Sequence, residues 1–109
     1  MIQEWLRQTK DYANKIRRPD LICNDGFSMS VQASTFTFCE PLSDTANSYS
    51  KVCVLSPSEE ESLLGRYGVE NKSGTVIYRY VPIEVVDKIL SNHGGIKANI
   101  ECSYLEGQE

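Results

Sequence analysis

The stretch from Gly74 to Gly95 constrains the fold of this chain most, because it reads as a strand that runs straight into a fully punctuated helix. Val76, Tyr78 and Tyr80 alternate with Thr75, Ile77 and Arg79, the period-two pattern of a strand built from β-branched and aromatic side chains. Pro82 suits the first helical position, where its missing N–H costs nothing, and it biases Val81 toward extended geometry. Ile83, Val86, Ile89 and Leu90 then follow at helical spacing, with Glu84 and Lys88 four residues apart on the polar side. Gly94 is a natural left-handed cap, and His93 sits where the negative end of the helix dipole favours its protonated form.

The rest of the chain supplies elements that this unit can pack against. Ile2, Trp5, Leu6, Thr9, Tyr12, Ala13 and Ile16 fall at steps of three and four, predicting an amphipathic first helix of about 15 residues with Trp5 as a core anchor. Lys15, Arg17 and Arg18 complement its dipole and Pro19 stops it. Residues 20–32 read as a hairpin. With Asp25-Gly26 as a two-residue turn, Leu21 pairs with Ser30, Ile22 with Met29 and Cys23 with Ser28. That register puts Ile22, Phe27, Met29 and Val31 on a covered face, and Ser28, Ser30 and Gln32 on a wet one.

Alternation then changes phase, since Phe27, Met29 and Val31 are odd-numbered while Phe36 and Phe38 are even-numbered. A bulge or short turn near Ala33-Ser34 is expected. Residues 39–50 read as a long exposed loop and residues 51–55 as a further strand. Ser56, Pro57 and Glu59 form a capping box that starts a short helix, with Glu59, Glu60 and Glu61 at its positive end and Gly65 closing it. Residues 96–109 either add an edge strand over 98–105 or stay partly disordered. The expected architecture is a single α+β domain over 1–109, a mainly antiparallel sheet of about four or five strands with helices packed on one face.

Composition excludes several function classes. At 109 residues, 40% hydrophobic and 24% charged, the chain is globular material able to bury a core without disulfide or metal. No apolar run approaches the roughly 18–20 residues of a membrane span, and the first five residues lack the basic and apolar regions of a signal peptide, so a cytosolic setting without membrane contact is expected. Residues 1–20 carry five basic against three acidic side chains, residues 21–64 one against six, and residues 65–109 five against six. A net charge of −4 with the acidity in the middle argues against direct nucleic-acid binding, which needs clustered basic side chains.

Motifs for catalysis are missing as well. Cys23, Cys39, Cys53 and Cys102 are spaced by 16, 14 and 49 positions with a single histidine, which is not a zinc pattern, and the thiols read as small apolar side chains. No phosphate loop, dinucleotide fingerprint or nucleophile elbow occurs, so no cofactor and no catalytic residue is assigned. Asp25 is explained by turn chemistry. A hydrolase pairing Cys39 or Cys53 with His93 is the least favoured alternative.

Two segments carry a resemblance. Residues 25–34 followed by Phe38-Cys39-Glu40-Pro41, and residues 76–87 followed by His93-Gly94-Gly95, together resemble a group of small uncharacterised proteins from bacterial prophages. The group brings no activity or site residues to transfer. The resemblance implies a mobile-element protein that works by binding a host or defence-system protein, inhibition of a CRISPR effector being one such role. Expected contacts are the acidic Glu59, Glu60 and Glu61, the loop from Asp44 to Tyr49, and the aromatic Tyr67. The alternative from another class is a phage structural or self-associating protein, a homo-oligomer formed through a sheet edge or the first helix.

Overall fold

A computed structural model describes residues 1–12 and 17–97. Helix α1 (Ile2–Gln8) is followed by a 3-10 turn (Lys10–Tyr12) and strands β1 (Leu21–Ile22), β2 (Ser28–Gln32) and β3 (Lys51–Leu55). A 3-10 helix (Ser62–Tyr67), strands β4 (Gly68–Glu70) and β5 (Val76–Pro82), and helix α2 (Ile83–Asn92) complete the order. The five strands form one antiparallel sheet in the order β1-β2-β3-β5-β4. The architecture is α+β, as the alternation and helix periodicity indicate.

The β5–α2 unit forms where the sequence places it. Ile83, Val86, Ile89 and Leu90 are the buried residues of α2, and Gly94 and Gly95 follow at φ 85 and 87. Pro82 is the N-cap, one position earlier than the first helical turn. Its fixed φ of −59 closes the strand and opens the helix at a single residue. The inner face of the sheet, with Leu21, Met29, Val31, Val52, Val54 and Val81, merges with Ile2, Trp5 and Leu6 of α1 and the apolar stripe of α2 into one core. Asp87 of α2 accepts the Ile2 amide at 2.9 Å, so the start of α1 is held by the second helix.

Helix α1 is shorter than its periodicity suggests. It ends at Gln8, with Thr9 as C-cap and a 3-10 turn beyond, and residues 13–16 lie outside the described residues. The helix is ended by a buried arginine. Arg18 is fully buried, and its Nη1 donates to Leu6 O and, at 2.9 Å, to Thr9 Oγ1, while Nη2 donates to Ala33 O at 2.9 Å. These bonds satisfy carbonyls that the helix end and the end of β2 would leave bare. Arg18 is therefore a capping group inside the core, not the solvated dipole partner expected of it. Burial pulls its pKa down, and its Nε has no hydrogen-bond partner among the described residues.

The hairpin register differs by one residue from the expectation. Leu21 pairs with Met29 and Ile22 with Ser28, and Cys23 N donates to Phe27 O at 2.7 Å. The loop is therefore Asn24-Asp25-Gly26, with Gly26 at φ 96, the three-residue form that needs a left-handed third position. This register buries both Leu21 and Cys23 where the two-residue turn would bury Ile22 alone, and apolar burial decides between them. The supposed wet face is covered too. Ser30 and Gln32 are only 1% and 6% exposed. Gln32 accepts from Arg18 N at 2.9 Å and donates to Arg18 O at 3.0 Å, and Arg17 Nη1 donates to Ser30 Oγ at 3.3 Å.

Beyond β2 the chain makes the expected short turn. Ser34 N donates to Thr37 Oγ1 at 2.9 Å and Phe36 N to Ser34 Oγ at 3.2 Å. No helix starts at Ser56, which adopts φ 49. Ser58 instead reaches back to β2, its amide donating to Ser28 O at 2.7 Å and its hydroxyl accepting from Ser28 N at 2.9 Å. The cap is Glu61, whose carboxylate accepts from Leu63 N at 3.1 Å, and the 3-10 helix runs past Gly65 to Tyr67. The edge strand expected over 98–105 lies outside the described residues; before it, Ile96 bridges Cys23 and Lys97 N donates to Ile22 O at 2.8 Å.

Candidate functional site

The strongest surface feature comes from an irregularity between β3 and β5. Val52 pairs with Val81 and Val54 with Tyr78, so Cys53 alone stands opposite both Arg79 and Tyr80. The extra residue is accommodated by Tyr80, a non-glycine residue at φ 53. A Cβ at that φ is strained by about 1–2 kcal/mol, and glycine is the usual occupant of such a place. The Tyr80 amide no longer points at β3 and donates to Phe38 O at 3.2 Å. In this way the bulge fastens the 34–38 turn to β5.

The side chains that follow from this backbone form a surface. Arg79 Cζ lies 4.3 Å from the centre of the Phe38 ring, and the Phe38 and Tyr80 rings meet edge to face at 5.9 Å and 70°. Tyr80 is 43% exposed, and Phe36, two residues before Phe38 in the turn, is 87% exposed. Aromatic rings and arginine are the side chains that anchor protein interfaces most often. Strained backbone that holds such groups outward costs stability and is common where a protein makes contact.

A second cluster surrounds the only histidine. His93 Nδ1 lies 2.7 Å from Asp25 Oδ2 and Nε2 lies 3.2 Å from Glu61 Oε1, while the ring stacks on Phe27 at 4.1 Å and 12°. Both ring nitrogens can donate only in the charged form. Accordingly the His93 pKa is raised, first by the hydrogen bond to Asp25 and then by that to Glu61, against the opposing effect of burial. The Asp25 carboxyl is lowered, first by the Phe27 amide and then by His93. The carboxylates occupy opposite sides of the ring, so they do not converge on a common point, and no group among the described residues is arranged to hold a metal ion. This trio is a clamp that ties the hairpin loop, the end of α2 and the cap of the 3-10 helix.

The thiols stand apart from that clamp. Cys39 Sγ donates to Ser34 O at 3.2 Å and lies 3.3 Å from Pro41 O, and its hydrogen-bond partners do not include His93. Cys53 and Cys23 are buried, with pKa values raised by desolvation, Cys23 to about 11. The Cys–His pair that a thiol hydrolase would use is not assembled among the described residues.

The residues expected to meet a partner are scattered. Glu59 and Glu60 are exposed and line an open groove together with Pro57, Val76 and Tyr78. Glu61 is turned inward to His93 and Leu63. Asp44 is half-buried and accepts from Thr35 N at 2.8 Å. Tyr49 is 3% exposed and belongs to the core, its hydroxyl donating to Ser43 O and its amide to Gln3 Oε1 at 3.0 Å. Tyr67 packs against the core from its edge. The Arg79–Tyr80 bulge was missed because the alternation from Thr75 to Tyr80 is unbroken and no glycine marks the extra residue.

No family model, no curated protein and no solved structure matches the chain. No helix among the described residues is long and apolar enough to cross a membrane.

Proposed function

We propose that this chain is a phage- or prophage-encoded binding protein without catalytic activity, which modulates or inhibits a host protein. A defence-system nuclease of the CRISPR type is the foremost target class, on the strength of the prophage resemblance. The observation that carries the binding reading is Tyr80, held at φ 53 and 43% exposed beside Phe38 and Arg79. A fold that only needed to close its sheet would be better served there by glycine. The test is an affinity capture from bacterial lysate with the intact protein and with Tyr80→Gly, identified by mass spectrometry. A stoichiometric host protein retained by the first and lost by the second is the expected result. Identical recoveries would refute this surface as the contact.

The second reading, self-association, draws on β4. Gly68, Val69 and Glu70 are all exposed and form the outer strand of the sheet, an edge with unpaired backbone groups. Its three residues and its glutamate are also the usual means of keeping an edge from pairing, which places this reading second. A mass that stays monomeric over a hundredfold range of concentration in sedimentation would remove it.

A further inference from the structure

Arg79 is unlike the other arginines of the protein. Arg7 donates to Asn47 O at 3.1 Å, Arg17 to Asp20 at 3.2 Å, and Arg18 to three acceptors of the core. Arg66 lies exposed to water. Arg79 is half-buried, its guanidinium stacked over Phe38, and it forms no ion pair and no hydrogen bond with any described residue. A ring face attracts the cation but cannot satisfy the five N–H donors of the fork, whose planar geometry matches a carboxylate.

We infer that the partner's side of this contact carries an aspartate or glutamate set among apolar groups, with the carboxylate received by Arg79 and the apolar groups by Phe36, Phe38 and Tyr80. The inference rests on the binding reading above and adds the chemistry of the partner. Charge complementarity at the contact itself supports it, since a half-buried cation without an ion pair among the described residues is matched by a single carboxylate. The protein as a whole is acidic, at −4, and Glu59 and Glu60 are exposed without ion pairs among the described residues. A carboxylate of the partner is therefore repelled over much of the surface and attracted at this cation, which fixes the register of docking. A phosphate would also suit the guanidinium and a base would stack on the rings. A nucleic-acid strand, however, needs several cations in a row, and the net charge opposes it.

The experiment selects binders for the intact protein from an mRNA-displayed library of random peptides, then measures a synthetic consensus peptide by calorimetry. Enriched peptides should share an aspartate or glutamate beside aromatic or branched apolar residues. Binding of the consensus should fall about tenfold or more with Arg79→Gln, fall nearly as far with Arg79→Lys, which keeps the charge but not the fork, and weaken with added salt. Thermal melts check that each variant folds. Loss of binding with Tyr80→Gly but not with Arg79→Gln would overturn the carboxylate inference and leave the binding surface standing. Indifference to both substitutions would overturn both. A library that enriches no acidic peptide, or tighter binding of an oligothymidine strand than of any peptide, would equally overturn the inference.

Discussion

Replacing Tyr80 with glycine should cost the fold less than replacing it with alanine, the reverse of the usual order within a strand. Both substitutions lose the edge-to-face contact with Phe38 at 5.9 Å, worth about 0.5–1.5 kcal/mol. Alanine keeps a Cβ at φ 53 and with it the strain of roughly 1–2 kcal/mol. Glycine removes that strain and costs about 0.5–1 kcal/mol in the added freedom of the unfolded chain. The balance favours Tyr80→Gly over Tyr80→Ala by about 1 kcal/mol, or about 4 °C in melting temperature for a domain of this size. Urea unfolding followed by the fluorescence of Trp5, the one tryptophan and a buried one, gives both free energies with a common slope. A glycine variant less stable than the alanine variant would refute the reasoning, since Tyr80 would then not be paying for its own exposure in backbone strain.

Four further outcomes follow from the side-chain geometry. Because the His93 pKa is raised above 6.5, its contribution is full below about pH 6.5 and is lost as pH rises through the higher folded value. The Asp25 carboxyl is lowered from 3.8, so its contribution is present above that value and is lost as pH falls through the depressed one. The stability difference between the protein and His93→Gln, measured by urea titration, should therefore peak between pH about 4 and 6.5 and shrink on the alkaline side; a flat difference would count against the clamp. Arg18→Met strands the acceptors Leu6 O, Thr9 Oγ1 and Ala33 O and should cost about 3 kcal/mol of unfolding free energy, against which a loss below ~1 would be contrary. Glu59→Lys with Glu60→Lys should leave stability within about 0.5 kcal/mol, since neither makes an ion pair among the described residues. Cys23, Cys39 and Cys53 should resist a thiol reagent at pH 7 until urea is added, as all three are buried, and fast labelling of any one in the native state would contradict its placement.

Where local cues agreed, the fold was legible. The β5–α2 unit carries alternation, a proline at the junction, an apolar stripe and terminal glycines, and each of these acts within a few residues. The hairpin register was not legible, because Asp25-Gly26 serves a two-residue and a three-residue loop equally well. Burial of Leu21 and Cys23 against the rest of the core decides it. Ser56 to Glu59 satisfies every rule for a helix start, yet Ser58 is drawn away by Ser28 of β2, a contact 30 residues distant. Arg18 looks like a solvated charge in any local reading. Only the assembled core reveals the carbonyls that it serves. The Asp25–Glu61–His93 clamp is hidden for the same reason, since its members lie on three separate elements and sequence distance says nothing of the angle at which they meet.

The bond from the Ile2 amide to Asp87 spans 85 positions of the chain. At ~5–20 residues per second of synthesis, the first helix waits about 4 to 17 seconds for the residue that anchors it. During that time Ile2, Trp5 and Leu6 have no second helix to lie against, and the outer edge of β1 stays open until Lys97 has been made. The domain can thus close only after residue 97 has been made. Its nascent form offers a short amphipathic helix and a bare strand edge to whatever chaperones attend the ribosome, and a ribosome that stalls before residue 87 releases a product unable to seal either.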